Sequence, residues 1–117
     1  MDDLVARLRR LDACAVSDAL DKLQLTGVAI GIQRLTTDRR ISGRVVTVKL
    51  EKDDGRPAAS RHLGTTAIEA AQGGDVIVLE QRSGVDAACW GGNLSLAAQL
   101  RCLLRLLRMI NLQSFGY

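Results

Sequence analysis

A chain of 117 residues fits one small domain, long enough to bury an aliphatic core but with little area to spare. The 47% apolar content rests on Ala, Val, Leu and Ile, and an aromatic content of 3% leaves only Trp90, Phe115 and Tyr117, too few for a base-stacking surface. A net charge of +3, spread over arginines such as Arg7, Arg10, Arg34, Arg39 and Arg44, can steer acidic small molecules or an acidic protein surface; with no recognised RNA or DNA module, nucleic-acid binding is not expected.

Along the chain, Leu4, Leu8 and Leu11 recur at helical spacing and predict a short amphipathic first helix. Ser17 before Asp18 reads as an N-cap for a second helix that buries Ala19, Leu20 and Leu23 and ends before Gly27. Val28 to Ile32 reads as turn and extended chain. The β-branched run Arg44 to Leu50, entered from Gly43, predicts a central strand. After the turn cluster Asp53 to Pro57, the residues Leu63, Ala67, Ile68, Ala70 and Ala71 suit a small-faced helix that stops before Gly73-Gly74. Asp75 to Glu80 reads as a second buried strand. Leu94, Ala97, Ala98 and Arg101 belong to a further helix, and the Leu/Arg mixture from Leu103 to Ile110 is expected to continue it, with Arg101, Arg105 and Arg108 on one face. Helices alternating with strands indicate an α/β domain.

Cys89-Trp90-Gly91-Gly92-Asn93-Leu94-Ser95 is the most informative stretch. Two glycines running into a helix describe a loop that can hold an anion, because N–H groups at a helix start lack intrahelical partners and carry the positive end of the helix dipole. Gly91, Gly92, Asn93 and Leu94 are the candidate binding residues. Trp90, the single tryptophan, is expected to pack at a core or subunit contact. His62, the single histidine, has no cysteine partner nearby and reads as a surface or helix-face residue. Asp75 reads as a strand-initiating turn and Asp86 as an exposed loop acid.

Cys14, Cys89 and Cys102 form neither a CxxC pair nor any zinc-ligand spacing, so free, mostly buried thiols in a reducing compartment are expected. The start Met1-Asp2-Asp3-Leu4 is acidic without an apolar segment behind it, and no run has the length of a membrane span. The expected setting is the cytoplasm, without a membrane partner.

Val16-Ser17-Asp18-Ala19-Leu20, Gly27 to Ile32, Gly43 to Val48, Gly74 to Val78 and Trp90 to Leu94, taken in order and spacing, resemble the RraA-like family of ribonuclease-activity regulators and 4-hydroxy-4-methyl-2-oxoglutarate aldolases. The resemblance covers about residues 14–101 of a single domain spanning 1–117, with 102–117 a divergent tail. It implies an α/β, three-layer β/β/α swivelling-domain fold, incomplete at the C-terminus and preceded by two N-terminal helices. It also implies a homotrimer with sites between subunits, and a divalent metal, magnesium or manganese, assisting cleavage or decarboxylation of small 2-oxo acids such as oxaloacetate to pyruvate. In that family the loop matching Gly91 to Leu94 binds the substrate carboxylate through main-chain amides. A second activity in the family, non-catalytic binding of a ribonuclease, is the alternative.

Beyond the loop helix the chain departs from the family pattern. A Gly-rich turn, a buried strand and an Arg-Asp pair, with Arg on the substrate and Asp on the metal, are expected there, and the pair falls near Gln113 and Ser114. Gln lacks a fixed charge and Ser is a poor ligand for a hard dication, so the metal ligand is missing from this chain and the activity is expected to be impaired. Replacement of the strand by Cys102 to Asn111 is expected to leave an unpaired sheet edge. A frameshift or truncation near Cys102 accounts for an abrupt loss of resemblance at preserved spacing. Reading the encoding DNA in the other two frames is expected to reveal a strand followed by Arg-Asp just after codon 101, and two frames without one dismiss this explanation.

Overall fold

Asp12 sets the start of the longest helix: its Oδ1 accepts a hydrogen bond from the Ala15 N–H at 2.7 Å, satisfying one of the unpaired donors of a first helical turn. This and all that follows comes from a computed structural model, which describes residues 3–30, 32, 39–51, 55, 57, 60–81, 88–101 and, as backbone, 105–110. They divide into two compact units, Met1–Ser42 and Gly43–Tyr117.

The first unit holds α1 (Asp3–Leu8) and α2 (Ala13–Lys22). Ser17 lies inside α2 and caps nothing; Asp12 wins because an acceptor on the residue before the first turn is the one that reaches the free N–H groups. Past the C-cap Leu23, Gln24 takes a left-handed φ of 55°, with its N–H donating to the Asp21 carbonyl at 3.0 Å and the Leu25 N–H to the Leu20 carbonyl at 2.9 Å. This pair of bonds is a Schellman closure built without glycine, so α2 ends well before Gly27. Arg40 donates to the Arg9 carbonyl at 2.9 Å, just past the end of α1. The expected apolar face of α1 is not covered within the described residues: Leu4, Leu8 and Leu11 are exposed and Val5 is the buried residue. Cys14 is exposed as well, against the expectation of buried thiols, whereas Cys89 of the second unit is buried; both are free.

The second unit is built on a parallel sheet of three strands in the order β1 (Val45–Leu50), β2 (Val76–Gln81), β3 (Arg105–Ile110). Register pairs Val46 with Ile77, Val48 with Leu79 and Leu50 with Gln81, so these six share one face. That face carries the core: Val48, Ile77 and Leu79 pack with Ala67 and Ile68 of α3 (Leu63–Ala70), with Ala71 and with Cys89, and Leu94, Ala97 and Ala98 of α4 (Gly92–Leu100) close over it. Both helices cover the same face because each links neighbouring parallel strands taken in sequence order, and a right-handed crossover then falls on the same side each time. Sheet and helices give an α/β unit of two layers among the described residues.

The central strand is β2, with Ile77 and Leu79 each only 1% exposed, and β1 lies at an edge of the described sheet with Val45 55% exposed. A β-branched run reads as a strand wherever it sits, and its neighbours decide whether it is central. Residues 105–110 do not continue α4: the helix ends at its C-cap Arg101, and β3 pairs with β2 from Val76↔Arg105 to Gln81↔Ile110. The predicted arginine stripe therefore does not exist on one helix, and the edge of β2 expected to be bare is paired. Leu and Arg at three-residue spacing suit a helix in isolation, but the free ladder groups of β2 are satisfied by a strand.

At the start of the sheet the Val76 N–H donates to the Arg44 carbonyl at 2.8 Å, and this draws Gly43 so close to Gly74 that a methyl group on Gly43 would overlap the Gly74 carbonyl oxygen. Backbone cannot yield as a side-chain end can. Gly43→Ala is accordingly expected to lower unfolding free energy in urea titration by about 1–3 kcal/mol, the usual cost of overpacking; an unchanged midpoint would show that the strands separate without penalty.

Candidate functional site

Parallel strands joined by helices force each helix to begin where the preceding strand ends. The first turns of α3 and α4 therefore lie at the carboxyl edge of the sheet, the edge at which open α/β sheets bind ligands. The two starts touch: a methyl group on Gly64 would come within 2.8 Å of Leu94 Cδ1, so the bare Gly64 makes room for the Leu94 side chain.

The two helix starts are finished differently. In α3 the N-cap is His62, whose Nδ1 accepts the Gly64 N–H at 3.1 Å, and the Thr66 hydroxyl donates to the His62 carbonyl at 3.3 Å. In α4 the N-cap is Gly91, in extended conformation and with no side-chain cap. The first intrahelical bond runs from the Ser95 N–H to the Gly91 carbonyl at 3.0 Å, so the N–H groups of Gly92, Asn93 and Leu94 come before any helical acceptor. Gly91, Gly92 and Asn93 are exposed and Leu94 is half-buried against the core. Among the described residues, a methyl group on Gly91 or Gly92 would meet nothing within 4 Å.

Behind the loop, the half-buried Trp90 packs against the core and its Nε1–H donates to Ser95 Oγ at 3.0 Å, while that hydroxyl donates to the Gly91 carbonyl at 3.1 Å. The packing of Trp90 follows the expectation for a lone tryptophan. Its hydrogen bond to Ser95 was not anticipated, although a serine four residues after a glycine N-cap is a spacing that permits a back-bond to the carbonyl.

His62 is exposed and occupied as a cap, a role its residue type does not advertise because histidine is not among the usual capping residues. Asp75 closes a turn: its Oδ2 accepts the Gln72 N–H at 2.9 Å, and its own N–H donates to the Gln72 carbonyl at 3.0 Å. Asp86, Cys102, Gln113 and Ser114 lie outside the described residues. Among the described residues no three of His, Cys, Asp or Glu gather into a group that could hold a metal ion, and no chemical step is assigned to one. No described helix is long and apolar enough to cross a membrane.

An open parallel α/β unit with an uncapped helix start at its carboxyl edge defines a class of fold that hosts many activities rather than one. Residues 13–103 match the RraA-like family, described as Aldolase/RraA, and the chain belongs to that family. No curated protein and no solved structure matches the chain.

If His62 serves the fold alone, His62→Ala is expected to cost about 1 kcal/mol in urea unfolding, the usual loss of a helix cap, and His62→Asn to restore most of it. A His62→Ala chain of unchanged stability would return His62 to the candidates for chemistry.

Proposed function

We propose that the chain binds a small 2-oxo acid at the carboxyl edge of its sheet, the carboxylate resting on the main-chain amides of Gly91 to Leu94. The observation that carries this reading is the exposed first turn of α4, with Gly91 supplying no side-chain acceptor to its N–H groups. Three such donors and the positive end of the helix dipole favour a carboxylate, and the missing Cβ atoms let it reach the backbone. Membership of the Aldolase/RraA family supports this reading, because the resemblance implies cleavage or decarboxylation of 2-oxo acids with the matching loop on the carboxylate.

Turnover is impaired in this chain on our reading. The Arg-Asp pair that the resemblance implies for substrate and metal falls near Gln113 and Ser114, which offer neither a fixed positive charge nor a carboxylate. A homotrimer with sites between subunits, and a cytoplasmic setting in which Cys14 and Cys89 stay reduced, go with this proposal.

Oxalate, a small planar dicarboxylate, is the probe for the loop. Calorimetric titration is expected to show saturable binding to the unaltered chain. Gly92→Ala is expected to weaken it roughly tenfold while stability holds or rises, since Ala gains about 0.5–1 kcal/mol over Gly in a helix. No binding to the unaltered chain refutes the proposal. Pyruvate release from 4-hydroxy-4-methyl-2-oxoglutarate or oxaloacetate with added magnesium is expected at the rate of magnesium alone; a faster rate would overturn the impairment.

The regulator activity of the family draws on a different observation. In the unit Met1–Ser42 large apolar side chains stand exposed, including Leu23 at 67% and Ile30 at 70%, alongside Leu25 and Val28. Retention of a purified ribonuclease E-type enzyme by the immobilised chain separates this reading from the first, because it needs neither Gly92 nor oxalate.

A further inference from the structure

We infer that Ser95 and Trp90 are positioning residues for the carboxylate loop, acting through the peptide group between Gly91 and Gly92. The inference rests on the proposed use of that loop. In a trans peptide the carbonyl of one residue and the N–H of the next point in opposite directions, so whatever holds the Gly91 oxygen also aims the Gly92 N–H. Flanked by two glycines, this peptide has no Cβ on either side to resist a flip, and among the described residues a methyl group at either position would meet nothing within 4 Å. Hydrogen bonds are left to do so.

The Gly91 oxygen accepts two of them, from the Ser95 N–H at 3.0 Å and the Ser95 hydroxyl at 3.1 Å, which uses both of its lone pairs. The hydroxyl has one proton, and a rotor free to turn would spend it elsewhere. Trp90 removes that freedom: its Nε1–H, a donor only, occupies a lone pair of Ser95 Oγ at 3.0 Å and directs the hydroxyl proton to the Gly91 carbonyl. The indole is itself held by the core packed around Ile77 and Leu79. A chain of donors thus runs from the core through Trp90 and Ser95 to the Gly91 oxygen, and on its far side the Gly92 N–H is presented outward. Charge on the ligand strengthens each bond made to it, so a misdirected amide costs affinity for an anion more than it costs the fold.

Trp90 is the single tryptophan, so its emission reports on the loop directly. The test titrates oxalate into the unaltered chain, Ser95→Ala and Ser95→Thr, following Trp90 emission, and in parallel records the Gly92 amide resonance of each without ligand. Ser95→Ala is expected to keep its unfolding midpoint but bind oxalate roughly tenfold more weakly, the upper range for one net hydrogen bond, with a displaced or doubled Gly92 resonance. Ser95→Thr, which keeps the hydroxyl, is expected to restore both. Trp90→Phe, followed by calorimetry, is expected to weaken binding less than Ser95→Ala, because both donors to the Gly91 oxygen survive and only the direction of the hydroxyl is lost. Ser95→Ala binding as tightly as the unaltered chain with an unmoved Gly92 resonance overturns the inference. If the unaltered chain does not bind oxalate, the carboxylate reading falls, and the Gly92 resonance still decides the clamp: moved in Ser95→Ala and restored in Ser95→Thr supports it, unmoved rejects it.

Discussion

The parallel pairing of β1 with β2 places everything else in the second unit. Two parallel neighbours cannot be joined by a tight turn, so the chain must travel back along the sheet, and it does so as α3 and then again as α4 between β2 and β3. The return brings the apolar sides of both helices onto Val48, Ile77 and Leu79, where burial of aliphatic surface holds them. It also brings both helix starts to one edge. An edge that carries two helix starts is therefore a by-product of the way the core is made.

Helix starts in this chain show a division of labour. Asp12 closes α2 and His62 closes α3, each by a side-chain acceptor on an N–H of the first turn. Gly91 leaves α4 unclosed. Glycine at an N-cap gives up only a few tenths of a kcal/mol relative to Ser or Asp, about the cost of any weak surface interaction. At that small cost the amides stay available to a ligand. The contact of Gly64 with Leu94 ties the closed start to the open one, so the α4 turn is anchored on its inner side while its outer side remains exposed.

Much of this could be read from residues alone where pattern and packing agree. The runs at 45–50 and 76–81 form strands, 63–70 forms a small-faced helix, and Gly91 to Leu94 open a helix as the double glycine indicates. Where a choice depended on partners, local pattern failed. Ser17 and Asp12 are both good caps, and only the helix boundary shows which one faces free donors. Helix α2 ends before Gly27 as its sequence implies, but the residue that closes it is Gln24, in a conformation that glycine prefers. His62 and Ser95 have their roles from the geometry of the turns they enter, not from any spacing typical of their types.

Family membership, the alternation of helices with strands and the position of the glycine loop follow from order along the chain, because periodicity and turn residues act over a few neighbours. Centrality of β2, the strand state of 105–110 and the direction of the Gly92 amide do not. Each depends on a bond to a partner from another stretch of chain or across a turn: Val76 to Arg105 along the ladder, Trp90 to Ser95 beside the loop. Such a partner's presence is settled only when the sheet has formed and the helices have been laid upon it, since backbone groups taken out of water must find the acceptors that folding brings near.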